Sequence, residues 1–177
     1  MQYTAHYESP LGGLLLAADD VGLTGLWFDG EKYYALHLAR EHEMRQTAVH
    51  EQTAAWLDVY FSGREPDFMP PLHLIGTPFQ QEVWALLRQI PYGKTTTYGA
   101  LEKTLAAQRG LERMSAQAVG GAVGHNEISI LVPCHRVVGT GGSLTGYAGG
   151  VDKKKALLEL EGVSMEGLFV PKRGTAL

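Results

Sequence analysis

Short apolar runs alternate with turn-forming residues in the first part of the chain. Residues 3–7, 14–18 and 23–28 are rich in apolar and aromatic side chains, and Gly, Pro and Asp separate them. Such runs with such separators are typical of β-strands joined by tight turns. Further along, apolar and aromatic residues share one face of a helix that we expect from Thr53 to Phe61. The pattern therefore predicts a small sheet followed by a helix.

Helical patterns dominate after a segment at residues 62–73 that is rich in Pro, Gly and charge. A capping box over residues 77–80 predicts the start of a helix, and Pro91 is expected to stop it. A second helix is expected over residues 98–107 and a third over 115–124. Two short helices after a longer one resemble a helix-turn-helix. On this pattern alone, a plain three-helix packing unit is the better interpretation.

The end of the chain combines a cysteine, a glycine-rich stretch and a helix. An apolar run at residues 128–132 predicts a short strand, and a proline ends it. Cys134 follows directly, so we expect its thiol at an exposed, rigid edge of the sheet. The glycine-rich stretch covers residues 139–150, and a last helix is expected from about Asp152 to just before Gly162. The tail from Ser164 onward is expected to fray.

Charge is divided unevenly along the chain, whose formal net charge is −4. Residues 1–75 carry 4 basic and 11 acidic side chains, whereas residues 76–177 carry 11 basic and 8 acidic ones. A mildly basic second half indicates that only this part faces a polyanion, although chance variation of surface charge gives the same numbers. We divide the chain into an α/β domain at residues 1–70, a helical domain at 76–165 and a tail at 166–177.

Composition narrows the protein class further. No stretch approaches the roughly 18 apolar residues that a membrane-spanning helix needs, and we expect no export signal. The single cysteine cannot form an internal disulfide, which fits a reducing cytoplasm. The histidines are scattered and no second cysteine accompanies them, so we expect no metal site.

Cys134 is the candidate nucleophile, although a lone cysteine inside a cell is usually a small buried hydrophobe. His135 and Arg136 follow it as potential cations, and nearby positive charge lowers the pKa of a thiol. A strand that delivers a thiol to a glycine-rich loop is a suitable place for a nucleophile. These neighbours favour a reactive cysteine but do not determine its reaction.

The sequence around Cys134 resembles the methylated-DNA–protein-cysteine methyltransferases, the alkylguanine-DNA alkyltransferases. The resemblance covers residues 76–162, with the motifs in family order and with family-like spacing. It implies an α/β (α+β) fold, with an N-terminal ribonuclease-H-like sheet-plus-helix domain and a C-terminal winged-helix-like domain that contains a helix-turn-helix. The motifs that carry it are Thr77-Pro78-Phe79-Gln80, Ile90-Pro91-Tyr92-Gly93, Thr97-Tyr98-Gly99, residues 118–122, His125-Asn126, Pro133-Cys134-His135-Arg136-Val137, residues 145–150, Lys155, Leu157-Leu158 and Glu161-Gly162.

This resemblance implies DNA repair by stoichiometric, irreversible transfer of an alkyl group from O6-alkylguanine to Cys134. It implies that His135 takes the thiol proton through a water and that Glu161 orients the imidazole. Asn126 would brace the site, and Tyr98 would donate a proton or a hydrogen bond to the guanine N3. The binding residues that it implies are Gly99, Gln117, Arg136, Val137, Tyr147, Ala148 and Gly149.

The implied partner is double-stranded DNA that contains O6-alkylguanine, with O4-alkylthymine as a further candidate lesion. The target base has to be flipped out of the stack. We expect a cytoplasmic monomer that needs no cofactor and no membrane. Gln117 stands where most relatives carry an arginine that fills the space left by the flipped base, and residues 106–115 form a longer connection than usual. Because glutamine lacks the cation and the stacking plane, we expect weaker DNA binding or slower base flipping than in relatives that carry the arginine.

Two other functions stay open at this point. A cysteine hydrolase would also use Cys134, His135 and Glu161, but it would turn over repeatedly on an ester or amide. A non-catalytic DNA-binding protein would keep its activity in Cys134→Ala. Taken alone, Tyr98 fits an ordinary core aromatic residue, Glu161 a solvated residue near a helix end and Asn126 a helix C-terminal residue.

Overall fold

The structure, a computed structural model, describes residues 1–171 and separates into two units. One unit comprises Met1–Ile75 with Glu127–Ser129, and the other comprises Gly76–Asn126 and the described residues from Ile130 onward. Residues 172–177 of the expected tail lie outside the described residues. No helix within residues 1–171 has both the length and the apolar composition that a membrane crossing needs. The same residues contain no group of three or more His, Cys, Asp or Glu side chains arranged to hold a metal ion.

The N-terminal unit contains a sheet with strand order β3-β2-β1-β4. Its strands are β1 (Gln2–Ser9), β2 (Gly12–Ala18), β3 (Leu23–Phe28) and β4 (His42–Met44). The first three form an antiparallel meander, as the alternation of apolar runs and turns predicts. Strand β4 pairs in parallel with β1. It is three exposed residues long, too short to show a hydrophobic alternation in the sequence.

The helix of this unit, α1 (Ala48–Phe61), begins before the predicted start at Thr53. Its first turn is closed by a capping box in which the backbone N–H of Thr47 donates to the Nδ1 atom of His50 at 3.0 Å. Histidine replaces the usual Glu or Gln at that position, which hides the motif in the sequence. His50 is buried, and its burial lowers the pKa of the imidazole.

Three helices open the C-terminal unit: α2 (Pro78–Leu87), α3 (Tyr98–Gln108) and α4 (Ala116–Gly124). The predicted capping box is present, because the Thr77 hydroxyl accepts from the Gln80 backbone N–H at 3.1 Å. Helix α2 ends at Leu87, before Pro91, which we expected to stop it. Trp84 fixes α2 to α4 by donating from Nε1 to the Ala122 carbonyl at 2.9 Å. Helices α3 and α4 form the helix-turn-helix pair.

Two short parallel strands and a final helix complete this unit: β5 (Thr96–Thr97), β6 (Val137–Val138) and α5 (Val151–Leu160). The strand predicted at residues 128–132 is absent from the described structure. Ile128 makes only an isolated bridge with Leu26, and Ile130 adopts a left-handed conformation with a φ of 72°. The side chains of residues 128–132 are buried. A short apolar run indicates such burial but does not distinguish a strand from a packed turn.

The segment after α5, which we expected to fray from Ser164 onward, makes packing contacts over part of its described length. Val163, Met165 and Leu168 pack against a cluster formed by Val138, Leu144 and Leu158. This partial apolar burial opposes the conformational entropy that usually loosens a chain end.

Candidate active site

Cys134 lies at the start of the 3₁₀ helix Cys134–Arg136, directly after Pro133. The Nδ2 atom of Asn126 donates hydrogen bonds to the Val132 carbonyl at 2.8 Å and to the Cys134 Sγ atom at 3.3 Å. Only 6% of the cysteine is exposed. The prediction that Cys134 lies at an exposed edge of the sheet is therefore wrong, because the residues before Pro133 pack inside the protein instead of forming a strand. Asn126 braces the thiol instead of only ending a helix.

His135, the residue after Cys134, forms a fully buried pair with Glu161 at the end of α5. The Nε2 atom of His135 lies 2.6 Å from the Glu161 Oε2 atom, and both side chains have no exposed surface. Burial lowers the pKa of the His135 imidazole more than the Glu161 carboxylate raises it, so the ring is neutral at physiological pH. With the Nε2 proton donated to Glu161, Nδ1 carries a lone pair. Nδ1 has no hydrogen-bond partner among residues 1–171, which leaves it available as a proton acceptor.

Arg136, expected to bind DNA, is buried and directed toward Glu161. Its Nε and Nη2 atoms donate to the two Glu161 carboxylate oxygens at 2.8 and 3.1 Å, and Nη1 donates to the Ile90 carbonyl at 2.7 Å. The backbone N–H of Gly93 also donates to Glu161 at 3.1 Å. Burial alone would raise the pKa of this carboxyl, but His135 and Arg136 together lower it to about 2. Glu161 is thus a buried anion, not a solvated helix end.

Lys154 is a buried cation that the sequence analysis missed. Its Nζ atom donates to the Val137 carbonyl and, at 2.7 Å, to the Thr145 carbonyl. Burial lowers the pKa of this ammonium to about 8. The residue lies in a run of three lysines that looks like a solvated face. Its spacing of three and four residues from the buried Leu157 and Leu158 was the available signal.

Tyr98, the first residue of α3, points its hydroxyl toward the glycine-rich loop. The hydroxyl donates to the Gly146 carbonyl at 3.2 Å. Burial, reinforced by the charge of Cys134, raises the pKa of this phenol, so it stays protonated and remains a donor. The Lys154 Nζ atom lies 5.9 Å from the centre of the Tyr98 ring.

The glycine-rich loop, residues 139–150, carries the predicted pocket residues. Tyr147 is buried, and its ring meets the His135 ring edge to face at 6.4 Å between centroids. Ala148 and Gly149 are half-buried, and Val137 is buried in β6. The structure therefore brings most of the predicted catalytic and pocket residues together in the C-terminal unit.

Gly99 and Gln117 lie apart from this buried group, in exposed positions on the first turns of α3 and α4. Arg109 does not replace the missing arginine near Gln117. Its guanidinium is bound to Glu82 at 2.7 Å and lies over the Phe79 ring at 5.0 Å, so it is committed to α2.

Comparisons with known proteins cover both units. The family described as the ribonuclease-like domain of 6-O-methylguanine DNA methyltransferase matches residues 2–74, and the DNA binding domain of the same protein matches residues 78–163. The methylated-DNA–protein-cysteine methyltransferase of Mycobacterium tuberculosis is 43% identical over 159 residues, covering 88% of this chain and 92% of the relative. Its namesake in Methanosarcina acetivorans is 40% identical over 161 residues, covering 90% and 98%.

Solved structures agree with this match. The crystal structure of Mycobacterium tuberculosis OGT in complex with DNA is similar with a TM-score of 0.76 and 42% identity, covering 90% of this chain and 92% of that one. The fold and the two family matches define a two-domain protein with a ribonuclease-like domain and a DNA binding domain, and the latter holds the buried Cys–His–Glu group. This chain belongs to the 6-O-methylguanine DNA methyltransferase family.

Proposed function

We propose that this protein repairs alkylated DNA by transferring the alkyl group from guanine O6 to Cys134, irreversibly and once per molecule. The observation that carries the proposal is the only cysteine of the chain, followed by a buried, neutral histidine whose Nε2 atom is bound to a buried carboxylate. Family membership supports the same chemistry, since the relatives are named methylated-DNA–protein-cysteine methyltransferases.

The first step is the loss of the thiol proton, because the thiolate is the nucleophile. The lone pair on His135 Nδ1 takes this proton through one water, and the Glu161 carboxylate stabilises the imidazolium that forms. The Cys134 thiolate then attacks the alkyl carbon in line with the bond to O6. The sulfur–carbon bond forms as the carbon–O6 bond breaks, and the bonding electron pair stays on the purine.

The departing guanine gains negative charge, which nearby donors stabilise. Tyr98 is protonated and half-buried beside the loop, and its hydroxyl donates to the Gly146 carbonyl. On base binding this single proton turns from Gly146 to the guanine N3, as a hydrogen bond or a transferred proton. The Lys154 ammonium adds positive charge on the same side of the pocket. Asn126 keeps the sulfur in position. The walls of the base pocket are assigned to Val137, Tyr147, Ala148 and Gly149.

The DNA partner is a duplex that contains O6-alkylguanine, whose lesion becomes accessible only after the base leaves the stack. We assign Gly99 and Gln117 to the DNA surface because both are exposed at helix starts. A Cβ atom added at Gly120 or Gly121 would meet nothing within 4 Å, so packing does not require glycine there and α4 stays open to close approach by a groove. Arg136 is left out of this surface because Glu161 binds it. Backbone-dominated binding makes affinity salt-sensitive and nearly independent of sequence.

We assign DNA binding and alkyl transfer to the domain at residues 76–165, and the ribonuclease-H-like fold to the domain at residues 1–70. All site residues come from one chain, so a monomer suffices, and no cofactor takes part in the steps above. A cysteine that has to remain a thiol suits the reducing cytoplasm.

Intact-protein mass spectrometry after incubation with an O6-methylguanine duplex tests the proposal. We expect one added methyl group per molecule, located on Cys134 by peptide analysis, and no further turnover when excess duplex is supplied. Cys134→Ala and an undamaged duplex are the matched controls, and neither should give an adduct.

Other outcomes separate the rival functions. Repeated turnover on esters or amides, without a stable adduct, would indicate a cysteine hydrolase. Lesion binding without any adduct on the wild-type protein would indicate a protein that only marks damage. Either result would overturn the proposed alkyl transfer.

A further inference from the structure

The segment after α5 returns to the glycine-rich loop and pairs with it through the backbone. The N–H of Phe169 donates to the Gly142 carbonyl at 3.0 Å, and the N–H of Leu144 donates to the Phe169 carbonyl at 2.8 Å. These two bonds form a parallel bridge between Ser143 and Phe169. We call residues 165–169 the clamp segment.

The clamp segment approaches the loop too closely for an ordinary residue at the contact. Gly142 has a φ of +95°, and a Cβ atom there would lie 2.0 Å from the Gly167 carbonyl oxygen. Met165 and Leu168 anchor the segment, because both pack on the buried cluster that contains Leu144. The contact therefore combines close backbone approach, hydrogen bonds and apolar burial.

Side chains from α3 and α5 bind the next part of the loop. Lys154 binds the Thr145 carbonyl at 2.7 Å, and Tyr98 binds the Gly146 carbonyl at 3.2 Å. Tyr147 follows immediately and is buried against the His135 ring. The loop is thus bound by the clamp segment at residues 142 and 144 and by two side chains of the reaction pocket at residues 145 and 146.

We infer that the clamp segment sets which alkyl groups the protein accepts, by fixing the loop that carries Tyr147, Ala148 and Gly149. The inference rests on the proposed alkyl transfer, in which these residues wall the base pocket. A loop bound by both sets of contacts keeps the pocket narrow and favours a methyl group. A loop released from the clamp segment lets Tyr147 move back and makes room for a bulkier group, while the chemistry at Cys134 stays the same.

The first test compares Phe169→Pro with Phe169→Ala. Proline removes the N–H that donates to Gly142, whereas alanine keeps this donor and removes only a side chain that is 50% exposed. Single-turnover rates are measured on duplexes that contain O6-methylguanine or O6-benzylguanine. We expect the benzyl-to-methyl rate ratio to rise about fivefold in Phe169→Pro, the effect of losing one ordinary hydrogen bond, and to stay at the wild-type value in Phe169→Ala.

A second pair of variants tests the same contact from the loop side. Gly142→Ala places a Cβ atom against the Gly167 carbonyl, whereas Gly141→Ala carries a similar left-handed strain, with a φ of +75°, and meets no atom within 4 Å. The ratio should rise in Gly142→Ala and not in Gly141→Ala. This pair keeps the inference testable if the proline variant fails to fold.

An unchanged ratio in Phe169→Pro or Gly142→Ala, with the protein folded by circular dichroism, would overturn the inference. An equal rise in the matched controls would do the same, because the backbone contact would then not be the cause. Absence of methyl transfer by the wild-type protein would instead overturn the proposed function, and this inference with it.

Discussion

Replacing Glu161 by glutamine removes the negative charge from the buried network and keeps the size of the side chain. Glu161 accepts hydrogen bonds from His135 at 2.6 Å, from Arg136 at 2.8 and 3.1 Å and from Gly93 at 3.1 Å. In the variant, the guanidinium of Arg136 remains buried without a counter-charge. Removing one partner of a buried ion pair costs about 3–5 kcal/mol. We therefore expect Glu161→Gln to lose about 3–5 kcal/mol of its free energy of unfolding at neutral pH.

The same substitution changes how stability depends on pH. Against the effect of burial, His135 and Arg136 lower the pKa of Glu161 from 4.5 to about 2 in the folded protein. A lowered folded-state pKa gives stability that is present above the unfolded-state pKa and is lost as pH falls from about 4.5 toward 2. A shift of this size corresponds to about 3 kcal/mol. Glutamine does not titrate, so the variant lacks this loss.

Urea unfolding at neutral pH and at several values down to about pH 3 measures both effects. Glu159→Gln is the matched control, because Glu159 lies on the same helix in an exposed pair with Lys155 at 3.9 Å. This control should change stability by less than about 1 kcal/mol. The reasoning is refuted if Glu161→Gln matches the control at neutral pH, or if its stability falls as steeply in acid as that of the wild-type protein.

Three further substitutions test the proposed roles. Lys154→Met should slow alkyl transfer about tenfold. The wild-type rate should fall as pH rises through about 8, where the buried Lys154 ammonium loses its proton. Single-turnover rates measured against pH check both predictions, and a wild-type rate that does not change with pH contradicts the proposed role of Lys154. Asn126→Ala should lose about 1–3 kcal/mol of unfolding free energy, because the Val132 carbonyl loses its donor; equal urea midpoints argue against it. Gln117→Arg should tighten DNA binding and make the slope of log affinity against log salt steeper by about 0.9 per new phosphate contact; an unchanged slope in fluorescence anisotropy rejects that role.

The elements that were predicted correctly are those determined by residues close to one another in the sequence. The capping box at Thr77 and Gln80 marks the start of α2 because both partners lie within one turn. Ser115 likewise caps α4 by accepting from the Ala118 N–H at 3.1 Å. The meander in the N-terminal unit follows from short apolar runs between turns. These features depend on neighbours a few residues apart, so a single sequence contains the information.

Features that depend on distant partners were missed or misassigned. The apolar run at residues 128–132 indicates burial, but whether it forms a strand depends on what packs around it. Residues 165–169 have little local pattern, and their order comes from the loop at residues 139–150. We predicted fraying for this segment because the loop that it pairs with lies elsewhere in the sequence.

The pairing of Arg136 with Glu161 affects how the Cys134 thiol is activated. Next to Cys134 in the sequence, an arginine suggests a positive charge that lowers the pKa of the thiol. In the structure, both oxygens of Glu161, 25 residues away, bind that guanidinium and neutralise it. In the proposed reaction, the lone pair on His135 Nδ1 takes the thiol proton. The pocket cation is then Lys154, whose described hydrogen bonds go to two carbonyl groups and not to Glu161. The proposed alkyl transfer depends on the Nδ1 atom of His135 and the buried ammonium of Lys154 more than on the guanidinium of Arg136 beside the cysteine.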